Sequence, residues 1–417
     1  MMKFSSGLVL TVTALGLTSS LYSQSGISNA RSVAMGSAYT AIARAVESPS
    51  WNPANLGLSG NNVYHFNLLS LGFGISNNSF SMKHYDLYNG KYLTVEDKQD
   101  ILASIPAEGL IFDFGTEVQA LGVAFGPLAI TASGFAVSDF TLSKDVVDLI
   151  LNGNEFKRSY NIGDTDGEAW GVSSVGLSLA FPLSRGPSHE FAVGATVKYL
   201  HGLAYGKVRE ATTTIKSDFD GLHTAGRVVI DRALGGNGFS IDAGAATRTG
   251  NWTLSAGVAN LSNYINWKND TKRFTYQFQA DSVTVESVAD TDIDSVFIDS
   301  DETVDIDPFT TKLPTELRVG LARTTKRFTF GLDFTKAFRR APGVSSKPKY
   351  SLGTELRPIH FLPLRAGVSF GGNRGFITSA GFALDFSIFS WDFAVASPGG
   401  FSSSKGLAFA YNWMFRF

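Results

Sequence analysis

Large apolar side chains occupy every second position in the last stretch of the chain, from Lys405 to Phe417. This period of two predicts a β-strand. A soluble sheet would bury such a face against a second sheet, whereas an outer-membrane barrel turns it toward lipid and keeps the small, polar face inside. The apolar face carries Leu407, Phe409, Tyr411, Trp413, Phe415 and Phe417, and the opposite face carries Gly406, Ala408, Ala410, Asn412, Met414 and Arg416.

The same alternation recurs in about 14 to 18 stretches after Val63, which predicts an all-β chain. Turn residues such as Thr249-Gly250-Asn251 separate neighbouring stretches. If the strands form an antiparallel transmembrane β-barrel, the pattern predicts which side chains face lipid and which face the lumen. The lipid set is Phe328, Phe330, Phe334, Phe382, Phe386, Trp391, Phe393, Phe409, Trp413 and Phe415, and the lumen set includes Asp333, Asp385, Asp392 and Arg416.

Residues 1–23 resemble a secretory signal peptide, which favours export of the chain. Lys3 supplies the positive start, residues 8–17 form an apolar stretch, and small residues lead to a cleavage site near Ser23. An N-terminal membrane anchor is the alternative interpretation. No later stretch has the roughly 20 consecutive apolar residues of a transmembrane helix. A closed barrel is then the membrane structure that fits, because lipid leaves open sheet edges unsatisfied.

The composition supports a barrel and excludes several classes of function. The 417 residues include 43 Gly and 33 Phe, and aromatic residues make up 12% of the chain. Barrels use aromatic side chains toward lipid and glycine where strands bend or the lumen stays open. The net charge of −2 does not indicate a nucleic-acid partner, and the absence of cysteine excludes disulfides and lipoprotein anchoring.

Residues 26–60 differ from the rest of the chain, because they are rich in small residues and lack the strand alternation. The sequence predicts a weak helix from Ala30 to Ala45 that is broken by Pro49 and Pro53. Two further short helices are predicted, one capped by Thr94 and one capped by Ser143 over Lys144–Leu151.

Residues 29–58, NARSVAMGSAYTAIARAVESPSWNPANLGL, resemble the N-terminal signature of the FadL-like (FadL/TodX-like) outer-membrane transport barrels. The Trp-Asn-Pro-Ala sequence is also similar to barrels of the type IX secretion system (PorV/PorQ type), and later segments resemble an uncharacterised branch of the superfamily. Arg44 departs from the pattern, since the family often has Asp there. The matching positions are Ala34, Met35, Gly36, Ala38, Tyr39, Thr40, Ala41, Ala43, Glu47, Trp51, Asn52, Pro53, Ala54 and Leu56.

The resemblance implies an outer-membrane barrel of about 14 strands (range 12–18) over residues 63–417, with residues 24–62 as a hatch inside the lumen. It implies passive uptake of hydrophobic or small amphipathic compounds, without enzymatic activity or a cofactor. The alternative is an interaction barrel that docks secreted proteins or secretion machinery. Lipid and the barrel assembly machinery are the other expected partners. Candidate gate and ligand-lining residues are Met35, Tyr39, Trp51, Asn52, Pro53 and Leu56.

Charged residues of both signs fall on the inferred inner face of the strands, with six of each sign. They predict either a solvated, ion-paired interior that holds the hatch through Arg31, Arg44 and Glu47, or a polar path beside it. A ring of one sign, which would mark an ion-selective pore, is not visible. The predicted lumen set is Lys198, Asp242, Arg273, Glu316, Arg318, Asp333, Glu355, Arg357, Arg365, Asp385, Asp392 and Arg416.

Three other patterns carry weaker predictions. The segment 281–307 holds ten carboxylates, but Ser295 and Asp301 stand where a calcium-binding EF-hand loop needs Gly and Glu, so a solvated external loop is expected. Ser369 lies in a Gly-x-Ser-x-Gly pattern within a predicted strand, without the strand–turn–helix context of a hydrolase. The six histidines show no metal-ligand spacing.

Overall fold

The computed structural model describes residues 26–60, 64–163, 165–186, 188–284, 298–386 and 388–417. The predicted signal peptide, Val63 and the central carboxylates of the acidic segment lie outside these ranges. Within them, no helix is long and apolar enough to span a membrane.

Fourteen antiparallel strands close into a barrel, the number that the family resemblance implies. The first strand pairs with the last from His65 opposite Arg416, and backbone hydrogen bonds join Tyr64 to Phe417. Closure leaves no free edge in the ring, which is the condition for a sheet in lipid. The ring strands are β1 (His65–Asn77), β2 (Leu110–Phe125), β3 (Leu128–Leu142), β5 (Asp166–Arg185), β6 (His189–Asp218), β7 (Gly221–Thr249), β8 (Trp252–Trp267), β12 (Glu316–Thr324), β13 (Phe328–Ala337), β14 (Lys349–Ile359), β15 (Leu362–Gly371), β16 (Ile377–Asp385), β17 (Phe389–Pro398) and β18 (Gly406–Arg416).

The described residues form four further strands. β4 (Ser159–Asn161) pairs with β6, β9 (Lys272–Val283) pairs with β7, β10 (Ile298–Asp305) pairs with β9, and β11 (Phe309–Thr311) pairs with β8. Of these, β4, β9 and β10 extend the longest hairpin of the ring, whereas β11 continues the wall beside β8. About twelve residues of β7, from 221 to 232, project beyond the ring, which corresponds to roughly 40 Å. We call this sheet of β6, β7, β9 and β10 the wing.

The two ends of the barrel differ in the length of their connections. At the short-turn end, turns at 126–127, 250–251, 325–327 and 360–361 join neighbouring strands, and only three residues separate β5 from β6 and β16 from β17. At the long-loop end lie the helices α3 (Met82–Tyr88), α4 (Val95–Ala103) and α5 (Lys144–Asn152), together with the wing. In outer-membrane barrels the short turns face the periplasm and the long loops face outward.

The predicted caps of two loop helices are confirmed. The Thr94 hydroxyl accepts a hydrogen bond from the Asp97 backbone, and the Asp97 carboxylate accepts one from the Thr94 backbone, forming a capping box for α4. Hydrogen bonds from Lys91 and from Thr94 lower the pKa of Asp97 to about 2, so the box stays charged at neutral pH. Ser143 caps α5 in the same way by accepting from Val146.

The prediction of a helix from Ala30 to Ala45 is wrong over most of its length. The helix α1 (Ala30–Ala34) begins after Asn29, whose side chain accepts from Ser32, and it ends within two turns. Gly36 and Ser37 follow with φ of +64° and +69°, which a right-handed helix excludes. The rest of the N-terminal segment, residues 26–60, contains α2 (Ser48–Trp51) and the 3₁₀ turns Ala45–Glu47 and Pro53–Gly57.

Side chains alternate between the lumen and the outer surface in the predicted register. On β13, Thr329 and Asp333 are buried on the inner face, while Phe328 and Leu332 are each 40% exposed on the outer face. On β18, Asn412 is buried and Trp413 is exposed. The aromatic face that the sequence assigned to lipid is therefore the outer face of the ring.

Leu332→Arg should impair assembly more than Phe328→Arg. Leu332 lies near the middle of β13 and Phe328 lies beside the short turn. Arginine on the lipid face costs about 2–4 kcal/mol at the bilayer midplane and about 0–1 kcal/mol near its surface. Refolding into lipid vesicles at graded urea concentrations measures the difference. Equal costs for the two substitutions would contradict the inferred position of the strand in the membrane.

Candidate functional site

The N-terminal segment lies inside the barrel. Its residues pack against inner-face positions on strands all around the closed ring, which a segment outside the barrel could not do. This position fits a hatch. The contacts join Ile27 to Gly72 on β1, Val46 to Gly122 on β2, Ala54 to Gly194 on β6, Asn52 to Gly244 on β7, Thr40 to Gly320 on β12, Met35 to Gly353 on β14 and Ala34 to Gly381 on β16.

Glycines on the inner face let the backbone of this segment approach the wall. A methyl group added at Gly353 would lie 2.4 Å from the Met35 carbonyl oxygen, and one at Gly367 would lie 2.2 Å from the Met35 carbonyl carbon. Both distances are far below van der Waals contact, and the atoms concerned belong to backbone that cannot rotate away. Part of the high glycine content therefore reflects close packing between the wall and the segment.

Two buried carboxylates of the wall bind backbone N–H groups of the segment. Asp333 on β13 accepts from the backbone nitrogens of Tyr39 at 3.1 Å and Thr40 at 2.8 Å. Glu117 on β2 accepts from those of Gly26 at 2.9 Å and Ser28 at 3.0 Å. Within the described residues neither carboxylate forms an ion pair, so the backbone dipoles supply their compensation.

Glu355 is the centre of an ion-pair network between the segment and the wall. Its carboxylate, 1% exposed, accepts from Arg31 through Nε at 2.8 Å and Nη2 at 3.1 Å. Arg365 bonds Glu355 at 2.7 Å and Asp392 at 2.5 Å, and Arg357 bonds Glu355 at 2.8 Å. The network anchors α1 to β14, β15 and β17.

Trp51 and Tyr39 form the aromatic centre of the segment. Their rings meet edge to face at 5.5 Å, and the Tyr39 hydroxyl donates to Glu47 at 2.6 Å. The Arg318 guanidinium lies 5.1 Å from the Trp51 ring and donates to the Ser50 carbonyl at 2.6 Å. The two aromatic side chains are thus tied to each other and to β12.

The side-chain amide of Asn52 fixes the Asn52-Pro53 turn. The Asn52 Oδ1 accepts from the Ala54 backbone, while Nδ2 lies 2.6 Å from the Ser255 hydroxyl and 3.0 Å from the Ala245 and Ala256 carbonyls. Pro53 occupies the first turn of the following 3₁₀ helix, where its missing N–H costs nothing. Leu56 is fully buried beyond the turn.

The remaining predicted lumen charges are also paired. Lys198 and Asp242 form an ion pair at 2.5 Å across β6 and β7, and Arg416 pairs with Asp385 at the short-turn end. The prediction that Arg273 faces the lumen is wrong, because Arg273 lies on β9 in the wing and pairs with Asp231. The sequence did not predict the contacts of Glu117 or of Asn412, whose Oδ1 accepts from the Ala30 backbone N–H and whose Nδ2 donates to the Ser70 hydroxyl.

One cavity borders the segment at the short-turn end, and another lies in the wall at the long-loop end without contacting the segment. The short-turn cavity has a volume of about 430 Å³ and is lined by Arg31, Ile42, Arg44, Ser59, Glu190 and Arg248, among others. The long-loop cavity, of about 70 Å³, is lined by residues that include Asp113, Lys349 and Arg374. Met35, Tyr39, Trp51 and Leu56 line neither cavity, since all four are buried against the wall or within the segment.

Aromatic residues cluster inside the barrel toward the long-loop end. The Tyr205 ring lies 5.5 Å from Trp267 and 5.2 Å from Phe309, and Trp170 packs in the same cluster. The indole of Trp267 donates to Thr311 at 2.9 Å. The Glu168 carboxylate accepts from Trp170 and Tyr205 at the edge of the cluster, so this end of the wall is aromatic with few charges, in contrast to the wall beside α1.

The sequence profile of one family matches residues 53–231 and 216–396, which together cover most of the chain. The chain belongs to DUF5723, a family of unknown function. A search of curated proteins finds no match to this DUF5723 chain.

Solved structures share the fold of this DUF5723 chain at low sequence identity. A Pseudomonas aeruginosa FadL homologue superposes with a TM-score of 0.54 at 12% identity, covering 95% of this chain and 99% of the other. The CymD monoaromatic hydrocarbon channel superposes with a TM-score of 0.51 at 12% identity, covering 93% of this chain and 97% of the other. The Pseudomonas putida toluene transporter TodX superposes with a TM-score of 0.50 at 12% identity, covering 93% of this chain and 98% of the other. The predicted FadL-like barrel fold is confirmed.

Glu355→Gln should lower the melting temperature of the DUF5723 barrel strongly. The substitution leaves three arginines beside an uncharged group, and breaking a buried ion pair costs about 3–5 kcal/mol. Asp385→Asn is the matched control, because its partner Arg416 is 32% exposed and such pairs contribute about 0–1 kcal/mol. Equal melting temperatures in detergent for the two variants would contradict the anchoring role of Glu355.

Gly367→Ala should displace the segment near Met35, whereas Gly134→Ala should not. A methyl group at Gly134 on β3 meets no atom closer than 3.5 Å. Overpacking typically costs about 1–3 kcal/mol. Limited proteolysis of the folded barrel, followed by mass spectrometry of cuts within 26–60, measures the displacement. Identical cleavage of both variants would show that the wall tolerates the methyl group without moving the segment.

Proposed function

We propose that this outer-membrane barrel passes small apolar or amphipathic compounds, with the N-terminal segment as its gate. The observation that carries the proposal is the position of this segment inside a closed ring of fourteen strands. A solute that crosses such a lumen must displace part of the segment. The shared fold with hydrocarbon channels supports the same conclusion.

The bulky apolar residues of the segment are the candidates for contact with a passing solute. Met35, Tyr39 and Leu56 are fully buried in the closed state and Trp51 is 7% exposed, so they contact a solute only after the segment shifts. The Asn52-Pro53 turn stays fixed by its bonds to β7 and β8. The apolar cluster of Trp170, Tyr205 and Trp267 offers a hydrophobic surface toward the long-loop end.

The membrane setting follows from the outer face of the ring. Its exposed aromatic and aliphatic side chains suit lipid. We infer that the leader at residues 1–23 exports the chain and that the barrel assembly machinery inserts it into the outer membrane. The prediction of a loop throughout 281–307 is wrong, because 281–283 end β9 and 298–305 form β10; β10 is exposed along its whole length, and we expect the acidic segment to remain solvated.

The wing supports a second candidate function, the docking of a secreted protein or of secretion machinery. It projects from the long-loop end far beyond the ring, and transport of a small solute needs no such extension. The lumen charges beside α1 are fully engaged in ion pairs, which suits a barrel that does not transport. The likeness of the Trp-Asn-Pro-Ala sequence to type IX secretion barrels favours this candidate as well.

Expression of the protein should raise uptake of radiolabelled toluene by Gram-negative cells several-fold over cells carrying an empty vector. Combined Tyr39→Ala and Trp51→Ala substitutions should change the initial uptake rate at least threefold, because both side chains belong to the gate. Asp385→Asn is the control, since it removes a peripheral ion pair only. Heat-dependent gel mobility checks that each variant is folded.

Equal uptake with and without the protein, for toluene and for longer alkanes, would overturn the transport proposal. Docking is tested separately by removing the wing hairpin between Lys207 and Arg232. Loss of a co-purifying secreted protein in that variant, with the barrel still folded, would support the second candidate.

A further inference from the structure

The short-turn cavity has an excess of positive charge. Three arginines line it, Arg31, Arg44 and Arg248, and Glu190 is its one acidic lining residue. With His189 neutral, the lining carries a formal charge of +2. The cavity lies between the N-terminal segment and short-turn residues that include Ser188, Gly250, Asn251 and Thr324, so it faces the periplasmic end of the barrel.

The three arginines are compensated to different degrees. Arg31 bonds Glu355 through two nitrogens, and Arg248 bonds Glu190 and Ser59 through Nη2. Arg44 forms no ion pair within the described residues. Its Nη1 donates to the Ala41 and Ala43 carbonyls at 3.0 and 2.8 Å, and its Nη2 donates to the Thr253 hydroxyl at 3.2 Å.

These neutral acceptors hold the Arg44 guanidinium in one orientation but leave its charge uncompensated. A partly buried cation is costly unless a counter-charge approaches it. The planar guanidinium fork matches the geometry of a carboxylate or phosphate group. We propose that the short-turn cavity binds a small oxyanion between Arg44 on the N-terminal segment and Arg248 on β7.

The other lining groups fit such a ligand. Ser59, Asn251, Thr253 and Thr324 supply hydroxyl and amide groups, and Ile42 supplies an apolar surface for an organic substituent. The volume of about 430 Å³ lies within the range of small-molecule sites. A carboxylate on a small aromatic or aliphatic group matches both the charged and the apolar lining residues, whereas inorganic phosphate matches the charged residues alone.

Binding would also couple the ligand to the position of the segment. Arg44 belongs to the segment and Arg248 belongs to the wall, so an anion between them adds attraction across that boundary. The anion binds preferentially when the segment holds Arg44 beside Arg248, so it stabilises that position of the segment by mass action. The inference does not depend on transport, since binding is measured on the purified barrel.

Isothermal titration of the full-length barrel in a neutral detergent tests the site. Sodium benzoate should bind, and benzyl alcohol, which has the same ring without the charge, should bind at least tenfold more weakly. Arg44→Gln should weaken benzoate binding at least tenfold. The control is Arg340→Gln, which removes an arginine paired with Asp139 at the opposite end of the barrel and should leave binding unchanged.

Titration with inorganic phosphate distinguishes the two sources of an oxyanion. Tighter binding of benzoate identifies an organic acid as the ligand, and tighter binding of phosphate identifies the free ion; both support the site. Three results would overturn it: no binding of either anion to the unmodified protein, binding that survives Arg44→Gln, or equal losses in the Arg44 and Arg340 variants.

Discussion

A backbone enclosed in a barrel must find hydrogen-bond partners there, and this constraint shapes the lumen. The N-terminal segment has short helical turns only, so many of its N–H and C=O groups have no partner within it. The wall supplies them. Asp333 and Glu117 accept from backbone N–H groups, and Arg318 donates to a backbone carbonyl. Polar residues on the inner face are thus structural counterparts of the segment, which accounts for their position opposite the lipid-facing aromatics.

The same packing requires a wall without side chains where the segment passes closest. Gly353 and Gly367 face the Met35 backbone, and Gly331 faces the Ala38 carbonyl. A strand residue without a side chain normally weakens a sheet. Here the loss is offset because the segment fills the space and buries its own residues, with Met35 and Tyr39 fully enclosed. The wall and the segment therefore depend on each other for their packing.

The sequence predicts the barrel and its facing because alternation is a local property of each strand. Asp333 and Asp392 lie on the inner face as predicted, but their partners could not be predicted, since Asp333 binds residues more than 290 positions away. Alternation also cannot tell a ring strand from a wing strand, which is why Arg273 was placed in the lumen. The helix predicted beyond Ala34 is replaced by a turn at Gly36 and Ser37, whose positive φ serves the fit to the wall.

The number of anchors constrains how a gate of this kind can open. Asp333, Glu117 and the Arg31–Glu355 pair together contribute six charge-assisted hydrogen bonds. At about 1.5–3 kcal/mol each, expelling the whole segment would cost on the order of 10 kcal/mol. Since 1.4 kcal/mol corresponds to a factor of ten, fewer than about one molecule in ten million would be open. Under the transport proposal, passage would therefore require a local shift of the segment that keeps most anchors intact. The stretch around Ile42 and Arg44 is suited to such a shift, because it borders the short-turn cavity and space is available there.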